Sequence, residues 1–184
     1  MGHNEPDLAR HPLVAHLERK SYKQCKWAFN NRNDHFVRGH ISNKNGIVAA
    51  QSLYSEQNQQ LVTLVTLGSN VCGHAGIVHG GLIAALFDDL MGEMFYDTSN
   101  GNYRGVTASL KIDFRKPMHS NQTIVFVTKL VSKVGRKSII QSNAHVYSDG
   151  DGVNVDECET MPIYAQAEAL FLMLKSDWEM LNKV

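Results

Sequence analysis

Few cysteines and no long apolar run limit what this chain of 184 residues can be. Cys25, Cys72 and Cys158 are odd in number and widely spaced, and none belongs to a Cys-x-x-Cys pair. This pattern argues against a disulfide framework or a structural zinc site and favours a reducing compartment. No apolar run reaches the roughly 18 residues that a transmembrane helix requires, so we expect no membrane span.

An excess of charge of either sign is also missing. The 18 basic and 18 acidic residues cancel at pH 7, and no dense Lys/Arg block occurs. The sequence therefore gives no indication of a nucleic-acid partner. The N-terminus lacks an apolar signal core and contains Glu5 and Asp7, so no targeting signal is visible. For this length we expect one domain with a substantial core.

The most informative segment is a glycine-rich turn that leads directly into an apolar stretch. His79-Gly80-Gly81 precedes residues with almost no polar face, which predicts a buried helix over about 80–96. The unpaired N–H groups at such a helix start, with the positive end of the helix dipole, can hold a developing negative charge. Asp88 lies inside the apolar run, where a carboxylate is costly without a partner or a function. It is therefore the first candidate for chemistry.

Strand patterns occupy most of the remaining chain. A short amphipathic helix is predicted within residues 1–20, and 21–46 has the composition of a loop. One strand alternates apolar and polar residues and carries Thr107 on its polar face. A sheet wrapped around the apolar helix is the economical way to bury it, which predicts an α+β fold. The predicted strands are 47–54, 61–67, 106–115, 123–134, 138–147 and 163–174, with Gly135-Arg136-Lys137 as a hairpin turn.

The order of hairpin, His-Gly-Gly helix and antiparallel strands resembles the hotdog fold of acyl-CoA thioesterases. The motif residues are His79-Gly80-Gly81, Asp88, Thr107-Ala108-Ser109-Leu110 and Arg115-Lys116-Pro117. They most resemble the animal mitochondrial acyl-CoA thioesterases of the THEM branch. A plant-and-bacterial-like relative of the fold often has Asn six residues before the motif histidine, where this chain has Gly73. The resemblance covers residues 47–174, which predicts an N-terminal extension over 1–46 and a tail over 175–184.

This resemblance implies roles for individual residues. His79, Gly80 and Gly81 would bind the thioester carbonyl, Asp88 would act as base or nucleophile, and Thr107 would assist. From the residue types alone, Arg136 and Lys137 are candidates for contacts with the phosphates of CoA. No metal site is expected, because His74 and His79 do not share a helical face and have no further ligand beside them.

The implied function is an acyl-CoA thioesterase that releases a free acid and CoA from a medium- or long-chain fatty acyl-CoA. No cofactor is expected, and the implied setting is fatty acid metabolism in the mitochondrion, with the cytoplasm as the alternative. A non-catalytic acyl-CoA binding or sensor protein is the alternative function. A hydratase of acyl thioesters is a further alternative, but the His-containing, Pro-rich segment typical of such relatives is absent.

Helix geometry places His79 and Asp88 too far apart to touch one thioester. Nine helical residues advance about 13.5 Å and end on the opposite side of the helix. We therefore predict a homodimer, or a dimer of dimers, in which His79 and the glycines of one protomer face the partner's Asp88 and the partner's Thr107. Asp89 points about 100° away from Asp88 and is predicted to be structural or to face solvent.

Overall fold

Seven antiparallel strands form one sheet, and a long helix lies across it. The computed structural model describes residues 6–25, 34–98, 104–146 and 161–177. The strand order is β1-β2-β3-β7-β8-β9-β6, and β4 and β5 pair separately. In chain order the elements are α1 (Pro12–Arg19), β1 (Lys23–Cys25), β2 (Ile47–Ser55), β3 (Gln60–Leu67), β4 (Cys72–His74), β5 (Ile77–Val78), α2 (Gly80–Asp97), β6 (Gly105–Phe114), β7 (Thr123–Val134), β8 (Lys137–Val146) and β9 (Ile163–Met173).

Helix α2 forms the centre of the main core, as its apolar sequence predicts. Its buried side chains pack against strands β3, β6, β7, β8 and β9. Two ring contacts fix the helix on the sheet: Phe87 meets Phe126 edge-on at 5.4 Å between centroids, and Phe95 stacks on Phe171 at 5.7 Å. The predicted α+β architecture, a sheet wrapped around one apolar helix, is confirmed.

Strand β3 is apolar on both of its faces because each face is covered. Leu61 and Val65 belong to the core around α2, whereas Val62 and Leu64 face a second apolar cluster on the other side of the sheet. The N-terminal segment covers that side. Its buried side chains there are Leu8, Leu13, Val14, Leu17 and Tyr22.

The stretch over 21–46 contains more structure than its loop-like composition predicts. Strand β1 pairs with β2, with Lys23 opposite Tyr54, and Phe36–Ile41 forms a short π-helical turn. Neither piece has enough residues to show a period, and both depend on contacts with distant parts of the chain. The division into an extension, a domain and a tail stays a prediction. Part of the tail, the acidic loop over 149–159 and Cys158 lie outside the described residues.

Within the described ranges, neither helix combines the length and the apolar character needed to cross a bilayer.

Replacing the glycine in the middle of α2 is expected to stabilise the fold. A Cβ at Gly92 would lie 3.7 Å from the Phe171 ring, which is ordinary contact. Because Ala loses less backbone entropy than Gly in a helix, Gly92→Ala should raise the free energy of unfolding by roughly 0.5–1 kcal/mol in urea titrations. Gly81→Ala is the contrasting variant, since its Cβ would lie 2.9 Å from His79 Nδ1. A destabilised Gly92→Ala protein would contradict this packing.

Candidate active site

The imidazole of His79 caps the start of α2. His79 has extended backbone angles, and its Nδ1 accepts the N–H of Gly81 at 2.9 Å. The backbone N–H of His79 donates to the backbone carbonyl of Val71 at 2.8 Å. A side chain that accepts a first-turn N–H in this way is an N-cap. The ring is therefore fixed at the positive end of the helix dipole, with an exposed side toward solvent.

Two glycines make room for this ring. A Cβ at Gly81 would lie 2.9 Å from His79 Nδ1, and a Cβ at Gly73 would lie 3.0 Å from His79 Cδ2. The distance at Gly81 is shorter than real Cβ contacts, and the distance at Gly73 is tighter than most of them, so a side chain at either position would press on the ring. The role of Gly73 was missed by the sequence analysis, although its place six residues before the histidine was noted. Here it makes space for the motif histidine.

The cap decides which donors can meet a substrate carbonyl. The N–H of Gly81 is already donated to His79. While Nδ1 accepts that bond, a neutral imidazole carries its proton on Nε2, which then points outward as a donor. Among the described residues, we find no acceptor for the N–H of Gly80. The donors left at this helix start are therefore His79 Nε2–H and the Gly80 N–H.

Asp88 is held by the side chain of Thr107. The Thr107 hydroxyl donates to Asp88 Oδ1 at 2.7 Å. Asp88 is half-buried in the single chain, less buried than its apolar sequence neighbours suggest, and Thr107 is exposed. The contact fixes one carboxylate oxygen, and Oδ2 accepts no hydrogen bond from the described residues.

Thr107 does not lie on the face of β6 that the alternation predicts. Leu110 and Ile112 pack on the α2 core, so regular alternation would point Thr107 away from the helix. The register with β9 shifts between Thr107 and Ser109, which marks a β-bulge. A bulge adds one residue and turns the local side chains. This explains how Thr107 reaches α2, and it corrects the expectation that it lies on the opposite, polar face.

The edge strand β6 links the two ends of the candidate site. Thr107 lies beside Asp88, whereas Phe114 lies near the helix start, 3.6 Å from where a Cβ of Gly80 would be. Strand β6 pairs with β9 on one side only. Val106 and Phe114 are exposed apolar residues on this edge. His79 and Asp88 therefore border the same open edge but lie at different heights along α2.

The predicted phosphate contacts lie at the Thr107 end of the sheet. Lys137 pairs with Leu172 of β9, and Leu172 pairs with Val106 of β6. Two strand spacings of about 4.8 Å separate Lys137 from β6 along that row. Lys137 is exposed, and Arg136 donates from Nε to the Met173 carbonyl at 2.9 Å. The side chains of Arg136 and Lys137 on this hairpin therefore lie near the candidate site but outside it.

Asp89 faces a different side of the helix from the Asp88–Thr107 pair. Its Oδ2 accepts from Arg38 Nε at 2.8 Å, and its Oδ1 lies 3.3 Å from His35 Nε2. These contacts agree with the predicted structural role of Asp89.

Arg38 also pairs with Glu93, which the sequence analysis missed. Arg38 Nη2 lies 3.1 Å from Glu93 Oε2, and the two side chains are 3% and 1% exposed. Burial raises the pKa of Glu93 to about 8, although the charge of Arg38 opposes this shift. The sequence signal for this pairing was the four-residue spacing of Asp89 and Glu93, which places two carboxyl groups on one side of a buried helix.

Comparison with known proteins agrees with this geometry. The family model described as the thioesterase superfamily matches residues 75–153. Solved structures include zebrafish thioesterase superfamily member 2, with a TM-score of 0.54 and 14% identity over 68% of this chain and 80% of that one. The chain has the hotdog fold, and over the matched residues it resembles the thioesterase superfamily. A thioesterase family protein from Silicibacter pomeroyi is also similar, with a TM-score of 0.55 and 14% identity over 68% of this chain and 84% of that one.

Curated sequences extend the likeness to the branch named above. A Rattus norvegicus protein, acyl-coenzyme A thioesterase THEM4, is 28% identical over 124 residues, which are 67% of this chain and 47% of that protein. The Saccharomyces cerevisiae mitochondrial membrane protein FMP10 is 26% identical over 134 residues, which are 71% of this chain and 54% of that protein. This chain thus spans about half the length of these relatives. The predicted resemblance to the superfamily and its THEM branch is confirmed.

Proposed function

We propose that the chain is an acyl-CoA thioesterase that hydrolyses medium- or long-chain fatty acyl-CoA to a free acid and CoA. The observation that carries this proposal is Asp88, a carboxylate that Thr107 holds through Oδ1 and whose Oδ2 is unengaged by the described residues, on the helix that His79 caps. The rat relative, which is named an acyl-coenzyme A thioesterase, supports the substrate class.

In the proposed reaction, the thioester oxygen accepts hydrogen bonds from His79 Nε2–H and the Gly80 N–H. These donors stabilise the oxyanion that forms when the carbonyl carbon is attacked. Asp88 Oδ2 takes a proton from the attacking water, the C–S bond then breaks, and the CoA sulfur takes up a proton as it leaves. Alternatively, Asp88 Oδ2 attacks the carbonyl carbon, the C–S bond breaks and CoA leaves as a thiolate that takes up a proton; water then hydrolyses the mixed anhydride to the free acid and restores Asp88. Both routes use only side chains, backbone and water, so no cofactor is part of the proposal.

The proposed assembly is a homodimer or a dimer of dimers, because one helix cannot present His79 and Asp88 to the same thioester. The exposed apolar residues on the β6 edge support such pairing. A mitochondrial location is proposed because the yeast relative is named a mitochondrial protein, and fatty acid metabolism would then be its setting. The cytoplasm remains the alternative.

Thiol release from short-, medium- and long-chain acyl-CoAs tests the activity. Turnover should depend on Asp88 and rise toward the longer acyl chains. Tight palmitoyl-CoA binding without turnover would instead identify an acyl-CoA binding or sensor protein and overturn the enzyme proposal.

Lys137 is expected to contribute to the binding of CoA rather than to the chemical step. Lys137→Ala should raise KM for acyl-CoA about two- to fivefold at low salt, with little change in kcat, because an exposed charge contributes about 1 kcal/mol or less. The effect should shrink at high ionic strength. Arg136→Ala should act in the same direction but also loses its bond to Met173. Lys111→Ala, exposed on β6, is the control. Equal KM values for Lys137→Ala and Lys111→Ala would remove Lys137 from the CoA site.

A composite site predicts that two inactive chains restore each other. His79→Ala and Asp88→Asn proteins should each be nearly inactive, but their mixed dimer has one site with both native residues. Random mixing makes about half of the dimers mixed, so about a quarter of the parental activity should return. The two chains carry different affinity tags. Purification on one tag and then on the other isolates the mixed dimers and measures the subunit exchange. Verified mixed dimers without recovered activity would contradict the composite site.

A further inference from the structure

A second cluster of acidic groups lies at the other end of α2, where β1 meets the last turns of the helix. The ligand atoms of Cys25, Glu93 and Asp97 all lie within 4.8 Å of one another. The Cys25 thiol donates to Asp97 Oδ2 at a distance of 3.7 Å. Glu93 and Asp97 are one turn apart on α2, Cys25 is distant in the sequence, and the pairing of β1 with β2 brings its thiol to the helix. They have no part in the proposed thioesterase reaction.

One oxygen of this cluster is buried without a hydrogen bond. Glu93 is 1% exposed, and its Oε2 is paired with Arg38, but among the described residues its Oε1, like Arg38 Nη1, has no hydrogen-bond partner. An unsatisfied buried carboxylate oxygen costs on the order of 1–3 kcal/mol or more, so native structures rarely keep one without a reason. A bound cation would satisfy it.

The charges around the cluster also favour a cation. Asp89, Glu93 and Asp97 lie on successive turns of α2, and Arg38 is the guanidinium that contacts this group. The last turn of α2 contains no basic residue, although the negative end of the helix dipole lies there. Among the described residues, Arg38 pairs with Asp89 and Glu93, His35 contacts Asp89, and no basic side chain forms an ion pair with Asp97.

We propose that Cys25, Glu93 and Asp97 bind a divalent cation that accepts thiolate, with zinc as the best fit. A tetrahedral zinc ion places sulfur and oxygen ligands about 3.5 Å apart, close to the distance between Cys25 Sγ and Asp97 Oδ2. A thiolate beside two carboxylates favours zinc over magnesium or calcium, which prefer oxygen ligands alone. Water completes the fourth position. The ion would link the edge strand β1 to α2. This proposal revises the expectation from cysteine spacing that the chain has no structural zinc site.

Two surface grooves of the described residues border two members of the cluster. One groove is lined by Cys25 and Arg38 together with residues of β2. Another is lined by Tyr54 and Asp97, with Lys23 and Glu56 as one charge of each sign. These grooves give an ion a path to Cys25 and to Asp97.

Co(II) titration of the full chain, stripped of metal and kept reduced, tests the proposal. Cobalt takes the place of zinc and gives a thiolate charge-transfer absorption when sulfur is a ligand. We expect one Co(II) per chain with this absorption, and its displacement by zinc. Cys25→Ser should abolish the absorption and weaken binding at least about tenfold, because even an outer-shell change costs about 10–100-fold. The same measurement on Asp97→Asn should show weakened binding.

Cys72→Ser and Cys158→Ser are the matched controls and should retain the absorption. Cys25 lies on a short edge strand, so Cys25→Ser should fold, and circular dichroism verifies this. Absence of the absorption in the parent chain would overturn the proposal. So would its survival in Cys25→Ser, or its loss in a control variant. Acyl-CoA hydrolysis is measured separately, so a failure of this site leaves the proposed function unaffected.

Discussion

Asp88→Asn should lower kcat by about 10²–10⁴-fold, the range that a positioned acid–base group contributes. Asparagine is nearly the same size, and its Oδ1 can still accept the hydroxyl of Thr107 at the position seen here. Its amide, however, can act neither as a base nor as a nucleophile. KM and thermal stability should therefore change little. Steady-state thiol release from palmitoyl-CoA measures the effect.

Asp89→Asn is the matched control, one residue away on the same helix. It weakens a contact with Arg38 rather than one with substrate. We expect it to lose stability but to keep its kcat per folded chain, with the folded fraction measured by circular dichroism. Activity of Asp88→Asn within about threefold of the parent, or a reversed order of the two variants, would show that the catalytic carboxylate is misassigned.

Arg38→Met should lower the free energy of unfolding by about 3 kcal/mol or more. The guanidinium is 3% exposed and contacts both Asp89 and Glu93 on α2. Removing one partner of a buried ion pair leaves an uncompensated buried charge, which costs about 3–5 kcal/mol. Methionine keeps most of the volume of the side chain, so the loss reports on charge rather than on a cavity. Urea denaturation followed by fluorescence measures it.

Arg10→Met is the control for this variant. Arg10 pairs with Asp7 at 3.1 Å, but both side chains are largely exposed. Exposed pairs contribute about 0–1 kcal/mol, so this change should be nearly neutral. Equal losses of unfolding free energy in the two variants would contradict the conclusion that the buried pairs of Arg38 with Asp89 and Glu93 stabilise the fold.

The central helix could be predicted almost to the residue, and the reason is local. An unbroken apolar run behind a His-Gly-Gly cap has few alternatives, and α2 covers Gly80–Asp97 against the predicted 80–96. Strands β2, β3, β7 and β9 also fall within a residue or two of their predictions, because turn residues and apolar patterns mark their ends. The motif predicted Asp88 and Thr107 as site residues, and the fold brings them into contact.

The remaining features depend on contacts that no local pattern encodes. The bulge beside Thr107 adds one residue to the alternation, so a period of two assigns the wrong face beyond it. Arg38 comes from a stretch without a period, yet it meets the two carboxylates on α2 through a single π-helical turn. Likewise, the closeness of Cys25 to Asp97 exists only once β1 has joined the sheet.

The second apolar cluster has a consequence for how this chain can be shortened. Helix α1 and the residues around it cover Leu53, Val62, Leu64, Val125 and Val127 on the side of the sheet that faces away from α2. Farther along this outer side, around Gln141 and Glu168, the surface is polar. A shortened chain that begins at Lys20 would keep α2 and the candidate active site. It would, however, expose this apolar part of the outer face to other molecules. The buried residues between Leu8 and Leu17 thus keep this apolar face from associating with other molecules.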